Sequence, residues 1–387
     1  MTTNVTSISK VRAAARDRAE RFRVNNRAAT ALLVIAVVLV VIGLGATQSA
    51  SSAVALDQNQ DRLFFFKRQL IGVGVGTVAL LVASRVPYKF YKKAAIPLFV
   101  LTVGLLIAVL MNGIETNGAR RWLAAPGFTF QPSEIAKVSV IFVLAYLLER
   151  KAKLLSRFGH FIVPVLATVG VVGLLIMRQP DLGTLIVVAA AAIAVIMASD
   201  TPMRFVLMLG LTAVIVASLL AFSESYRADR ITAFLDPYAD ASGNGYQVIQ
   251  GYYALGNGGL FGVGLGASRA RWFYLPNAHT DFIFAIIGEE TGLVGGLTVI
   301  ALFLVLGVTG WVVASRAPDR FGRMIAAGIT VWLSFQALIN IGGVLGLMPI
   351  TGIALPFVSF GSTALIVSMG ALGVLVNIAQ SGVHRKK

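Results

Sequence analysis

The chain has 387 residues, 57% hydrophobic and only 13% charged. That composition excludes a soluble globular domain, in which about a quarter of residues carry charge. Without cysteine there is no disulfide framework, thiolate metal site or cysteine nucleophile, and three unclustered histidines argue against a transition-metal centre. The net charge of +16 is spread over many short loops. This is the pattern of a membrane protein touching anionic lipid and not of one that binds nucleic acid.

Residues 1–28 form a basic segment ahead of the first apolar run. No small-residue cleavage site follows that run, so it reads as a retained span and not a signal peptide. Apolar runs then cover about 29–47, 69–85, 94–112, 132–148, 159–177, 182–199, 203–222, 282–314, 324–347 and 356–380. A spanning helix needs roughly 20 apolar residues. The expectation is an all-α, polytopic integral membrane protein of about ten transmembrane helices, with one membrane domain over 29–382 and a short end at 383–387.

An even number of spans puts both termini on one side. With that side cytoplasmic, 22 of the 33 Lys and Arg fall inside, the two-to-one excess that sets orientation. Lys67 and Arg68, on the other side, read as interfacial snorkelling. Arg120, Arg121, Arg227 and Arg230 lie there too, and arginine forks suit phosphate. The outer connection 223–281 is far longer than the others. Its aromatics, glycines and short apolar patches predict an ordered, re-entrant structure on the membrane face.

Charge inside a span costs roughly 2.5–3.5 kcal/mol and marks a cavity or pathway. Glu134 and Lys137 open the fourth span, and Glu289 and Glu290 lie within the eighth. Lys137 is a plausible partner for Glu289 or Glu290; a structural polar bridge between helices is the equal alternative for the two carboxylates. Asp281 stands where the long outer loop meets the eighth span and suits a general base, although Thr280 or Asp281 would also serve as a helix cap. His279 beside it reads as a hydrogen-bonding neighbour. The glycines between Gly256 and Gly266 lack a βαβ setting and serve sharp turns and close approach, not nucleotide binding.

Eight stretches in order, NGARRWL (117–123), FQPSEIAK (130–137), RQPDLGT (178–184), YRADRITAFLDP (226–237), GYQVIQ (245–250), GLG (264–266), LPNAHTDFIFAIIGEE (275–290) and LMPITGIALPFVSFGS (347–362), resemble the SEDS family (shape, elongation, division and sporulation) over about residues 28–382. SASS (49–52), FFFKRQ (64–69) and WLSFQALIN (332–340) favour its division-type branch over the elongation type. The resemblance implies a peptidoglycan glycosyltransferase that polymerises lipid II on the outer face of the bacterial cytoplasmic membrane, at the septum, by inverting transfer from a lipid pyrophosphate.

On this resemblance Asp281 is the base, and Arg120, Arg121 and Trp122 line the substrate cleft. Arg227, Arg230, His279 and Ser359 join them, over a polar floor of Glu134, Lys137 and Glu289 or Glu290. The resemblance implies a class B penicillin-binding protein and other divisome membrane proteins as partners, and leaves a divalent cation, magnesium or manganese, open. Asn277, Phe360 and Ser362 depart from the usual pattern. A lipid II flippase, a proton-coupled carrier and a pure scaffold are the competing classes.

Overall fold

The computed structural model describes residues 3–59, 61–116, 119–125, 128–221, 225–243, 245–272, 274–276 and 278–381. Ten apolar helical spans follow the expected order: α1 (Thr3–Asn59), α2 (Phe64–Arg85), α3 (Lys89–Asn112), α4 (Pro132–Arg150), the pair α5 (Phe158–Val165) and α6 (Val171–Met177), α7 (Leu182–Met197), α8 (Met203–Ala221), α11 (Ile283–Ser315), α12 (Arg320–Val344) and α13 (Ser362–Ser381). Eight of them are long and apolar enough to cross a membrane. The other two are α7, of 16 residues, and α4, whose apolar run is broken by Glu134 and Lys137. This is a membrane protein.

The structure refines several sequence boundaries. The first span continues unbroken to Gln58, because Ala50, Ser51, Ala53 and Ala55 are small enough to bury in place of forming a loop. In the fifth span a π-helical turn at Leu166–Gly170 joins α5 to α6 just after Pro164, where Thr168 Oγ1 donates to the Pro164 carbonyl at 2.7 Å. Between α3 and α4 a small antiparallel sheet, β1 (Ile114–Thr116), β2 (Ala119–Ala125) and β3 (Phe128–Phe130), departs from an all-helical reading. Within the long connection lie α9 (Ser225–Leu235) and α10 (Tyr246–Gly258).

Burial grades the bundle from centre to lipid. α12 and α13 are the inner helices, about three-quarters buried, with Trp332, Leu333 and Leu372 fully enclosed; α8 is almost wholly exposed and presents Leu207, Leu211, Val214 and Leu219 outward.

The eighth span is not one rod. At Gly292, with φ +67° and ψ −166°, α11 breaks. The backbone groups this frees do not stay unpaired, as a lipid environment requires. Val263 and Gly264 N–H donate to the carbonyls of Glu289 and Glu290 at 3.0 and 3.1 Å, while Leu293 and Val294 N–H donate to Gly259 and Leu260 carbonyls. The chain after α10 therefore re-enters and plugs the break. Approach this close excludes a side chain: a methyl at Gly262 would run into the Glu290 carbonyl, and φ there is +81°. Gly262→Ala is expected to cost about 1–3 kcal/mol through backbone strain alone, read as a lowered melting temperature in detergent.

Candidate active site

Asp281 lies two residues ahead of α11, but neither it nor Thr280 caps the helix. Phe282 occupies the N-cap position with no side-chain hydrogen bond, which corrects the capping alternative. Thr280 Oγ1 instead donates to Asp281 Oδ1 at 2.7 Å. The backbone of Asp281 is pinned from α12: Asn340 Nδ2 donates to its carbonyl at 2.8 Å and to the Ile353 carbonyl at 2.7 Å. Asn340 Oδ1 has no hydrogen-bond partner.

The segment 350–361 forms the wall facing Asp281. Ser359 ties it down: its hydroxyl donates to the Thr280 carbonyl at 2.6 Å and accepts from Leu355 N–H at 2.8 Å. Gln69 of α2 donates to the Ser359 carbonyl, and Phe360 N–H donates to the His279 carbonyl. Arg230 of α9 donates to the Ile350 carbonyl at 3.3 Å. Gly352, at φ +69°, turns the wall so that its missing side chain opens the space before the Arg230 guanidinium and Asp281 Oδ2; a Cβ there would sit 3.6 Å from the first and 3.8 Å from the second.

Burial pushes the Asp281 carboxyl above its ordinary value, opposed by the Thr280 hydroxyl and by Arg230. The result is a stronger base than a free aspartate, still facing a guanidinium. His279 is packed between Phe65 and Phe360, with ring centroids 4.7 and 5.6 Å away, and burial pulls it down to about 4. Held in this way, the imidazole is neutral at physiological pH.

Beneath the wall, Lys137 pairs with Glu134 at 2.8 Å, both buried. It also donates to Gln336 Oε1 at 3.0 Å, which accepts from Trp332 Nε1, while Gln336 Nε2 holds the Ala354 carbonyl. A polar column thus runs from the 350–361 wall to the fourth span. This corrects the expected pairing of Lys137 with Glu289 or Glu290: the partner one helical turn away on the same helix already satisfies it.

Glu289 and Glu290 hold the re-entrant chain instead. Glu289 accepts from Ser268 Oγ and from the Arg269 and Ala270 N–H groups at 3.1 and 3.3 Å. Glu290 accepts from Ser49 Oγ and Ser268 N–H. Of the two, only Glu290 bridges two helices, through Ser49 of α1, whereas Glu289 tethers the 268–270 chain. Glu289→Gln turns one acceptor into a donor facing amides, and is expected to cost about 1–3 kcal/mol and to speed hydrogen exchange at 268–270.

The hairpin arginines split. Arg121 donates to the carbonyls of Gln179, at 3.1 Å, and Pro180, clamping the turn before α7, where Asp181 caps the helix through Thr184 N–H. Arg120 is exposed and paired with Glu115 at 3.2 Å. Trp122 is half-buried opposite Ile114 in the sheet. Asn277 and the side chain of Arg227 lie outside the described residues.

The structure therefore gathers Asp281, Arg230, His279 and Ser359 around one wall, sets Glu134 and Lys137 below it, and removes Glu289 and Glu290 to the α11 break. Sequence reasoning missed Asn340, Gln336, Gly352 and Gln69. The first two were findable as amides four residues apart inside an apolar span. Among the described residues no three His, Cys, Asp or Glu side chains come together. A magnesium-type ion takes one or two carboxylates plus phosphate oxygens. Asp281 offers one carboxylate, the lower end of that range, beside the Arg230 guanidinium.

The family model of cell cycle proteins that includes FtsW, RodA and SpoVE matches residues 29–384. A protein of Geobacter sp. strain M18 named probable peptidoglycan glycosyltransferase FtsW is 42% identical over 90% of this chain and 95% of its own length. Stage V sporulation protein E of Bacillus subtilis is 41% identical over 90% of this chain and 96% of its own. In structure the chain resembles one from a peptidoglycan synthase complex that coordinates polymerization and crosslinking, with TM-score 0.75 and 29% identity over 92% of this chain and 98% of that one. It also resembles the rod shape determining protein RodA of Thermus thermophilus, with TM-score 0.68 and 26% identity over 90% and 96%.

Proposed function

The chain belongs to the FtsW, RodA and SpoVE family of cell cycle proteins, the SEDS family, and from that premise we propose that it is a peptidoglycan glycosyltransferase of the division type. It polymerises lipid II into glycan strands on the outer face of the bacterial cytoplasmic membrane, with both termini in the cytoplasm and the septum as its place of work. The observation that carries this reading is the Asp281 carboxylate, set with the Arg230 guanidinium around the space that Gly352 leaves open.

The chemistry needs few groups. Asp281 takes the proton of the acceptor sugar hydroxyl as its oxygen bonds to the anomeric carbon of the donor. The bond from that carbon to the lipid pyrophosphate breaks, and the leaving group departs with the electron pair. Attack from the opposite face inverts the centre, so no protein nucleophile is required and one carboxylate suffices. Arg230 neutralises charge on the departing phosphate. The Lys137–Glu134–Gln336 column keeps the wall in place below. A class B penicillin-binding protein, a transpeptidase crosslinking the strands, is the fitting partner, and other divisome membrane proteins assemble around the pair.

The test is strand formation from purified lipid II by the full chain, with and without that transpeptidase, resolved by length on a gel. Strands in either condition support the reading. No strands, together with lipid II translocation into vesicles, would replace it with a flippase.

A further inference from the structure

Two neighbouring openings lie near the base, and only the smaller is lined by Asp281 itself. A cleft of about 310 Å³ is lined by Phe234 of α9, Tyr246 and Gln247 of α10, Pro276, Met348 and Arg230. A second cavity, of about 10 Å³, lies against Asp281 and Asn340 and shares Gly343 and Ile350 with the first. Neither opening is accounted for by the polar column or by the re-entrant plug.

The contents of each opening identify what fits. The larger is at the small end of ligand clefts, which run roughly 300–1,000 Å³. It offers two aromatic rings, a proline and a methionine, with planar polar groups at its edge. Gln247 Nε2 is used on the Pro276 carbonyl at 3.1 Å, which leaves its Oε1 as an acceptor. Among the described residues the lining holds one cation, Arg230, and no carboxylate. A pyrophosphate would call for more positive charge, and a prenyl chain for an unbroken apolar trough. A neutral amino sugar, with apolar ring faces, hydroxyls and an acetamido group, matches the mixture.

The smaller opening holds about one oxygen atom. Its lining includes Asp281 and Asn340, and Asn340 Oδ1 is buried with no hydrogen-bond partner. A buried acceptor left unpaired is costly, so this one awaits a donor. A hydroxyl group supplies it.

We infer that the Phe234–Tyr246–Gln247–Met348 cleft is the acceptor subsite, holding the terminal N-acetylated sugar ring with its reacting hydroxyl projected between Asp281 and Asn340. This rests on the glycosyltransferase reading and specifies which reactant lies on which side of the base: the acceptor against α9 and α10, the donor pyrophosphate beyond Arg230. Asn340 then fixes the hydroxyl while Asp281 takes its proton.

The test uses the full chain in detergent and, as probe, the disaccharide of N-acetylglucosamine and N-acetylmuramic acid without lipid or pyrophosphate, carrying a diazirine on its acetamido group. The probe is expected to label the 243–252 peptide, to be displaced by unlabelled disaccharide, and to inhibit strand formation. Tyr246→Ala and, as a milder surface change, Gln247→Ala should each weaken inhibition by about tenfold, the loss of one good contact. Strand formation that the probe neither inhibits nor accompanies with labelling at 243–252 overturns the subsite. So does inhibition equally strong in both variants. Labelling at 243–252 with no strands under any condition keeps the sugar cleft and removes the polymerase reading, so the two failures are distinct.

Discussion

Asp281→Asn is expected to abolish strand formation to within background, a loss of about 10²–10⁴-fold for removing a general base, without unfolding the protein. Asparagine keeps the size of the side chain and can still accept from Thr280 Oγ1, whose 2.7 Å bond holds the group in place. The pH dependence follows from the direction of the shift. Burial raises the carboxyl above 3.8, so the wild-type rate should fall, as pH is lowered, at a higher pH than an ordinary aspartate would allow.

Stability moves the other way. A carboxyl whose folded-state pKa is raised binds its proton more tightly in the folded protein. It therefore favours folding at low pH and disfavours it once the pH climbs past the raised value. The neutral Asp281→Asn variant should melt at or above the wild-type temperature at neutral pH while being inactive. A variant that is both inactive and markedly less stable would point to a structural aspartate and remove Asp281 from the mechanism.

Much of this architecture could be read from residues alone, and the misses have physical reasons. Ten apolar runs became ten spans because lipid leaves a helix little choice. Asp281 stood out because it is the carboxylate at which the long outer connection meets the eighth span. The break at Gly292 was invisible, since Glu289 and Glu290 just before it mark a polar contact and hydropathy does not report backbone angles. Its plug, the 259–264 chain, could be suspected from glycine density but not paired with a particular turn of α11.

Lys137 shows a different limit. That a buried cation needs a partner follows from composition; which carboxylate supplies it depends on geometry. Glu134 at i−3 wins over Glu289 because Glu289 is occupied by Ser268, Arg269 and Ala270. The cleft residues Tyr246, Gln247 and Met348 carry no period or motif of their own. They converge only because α9, α10 and the turn after α12 are folded onto one another.

Lys137→Met carries the largest expected effect on the fold itself. It leaves Glu134 buried and uncompensated, and breaking one side of such a pair costs about 3–5 kcal/mol. The damage should spread upward: Gln336 loses one of two donors on its Oε1, and Gln336 is what holds the Ala354 carbonyl of the catalytic wall. Adding Glu134→Gln removes the stranded charge, and the double variant should return to within about 1 kcal/mol of wild type, since neutral groups of similar volume replace a buried pair at little cost. Trp332 Nε1 still donates to Gln336 at 2.8 Å in that background, so the wall should keep its place and strand formation should return to within about tenfold. The measurement is a double-mutant cycle, melting temperature against polymerisation rate. Stability that returns without activity would mean that the ammonium acts on the reaction from below the wall, and that the column is part of the catalytic field and not only its support.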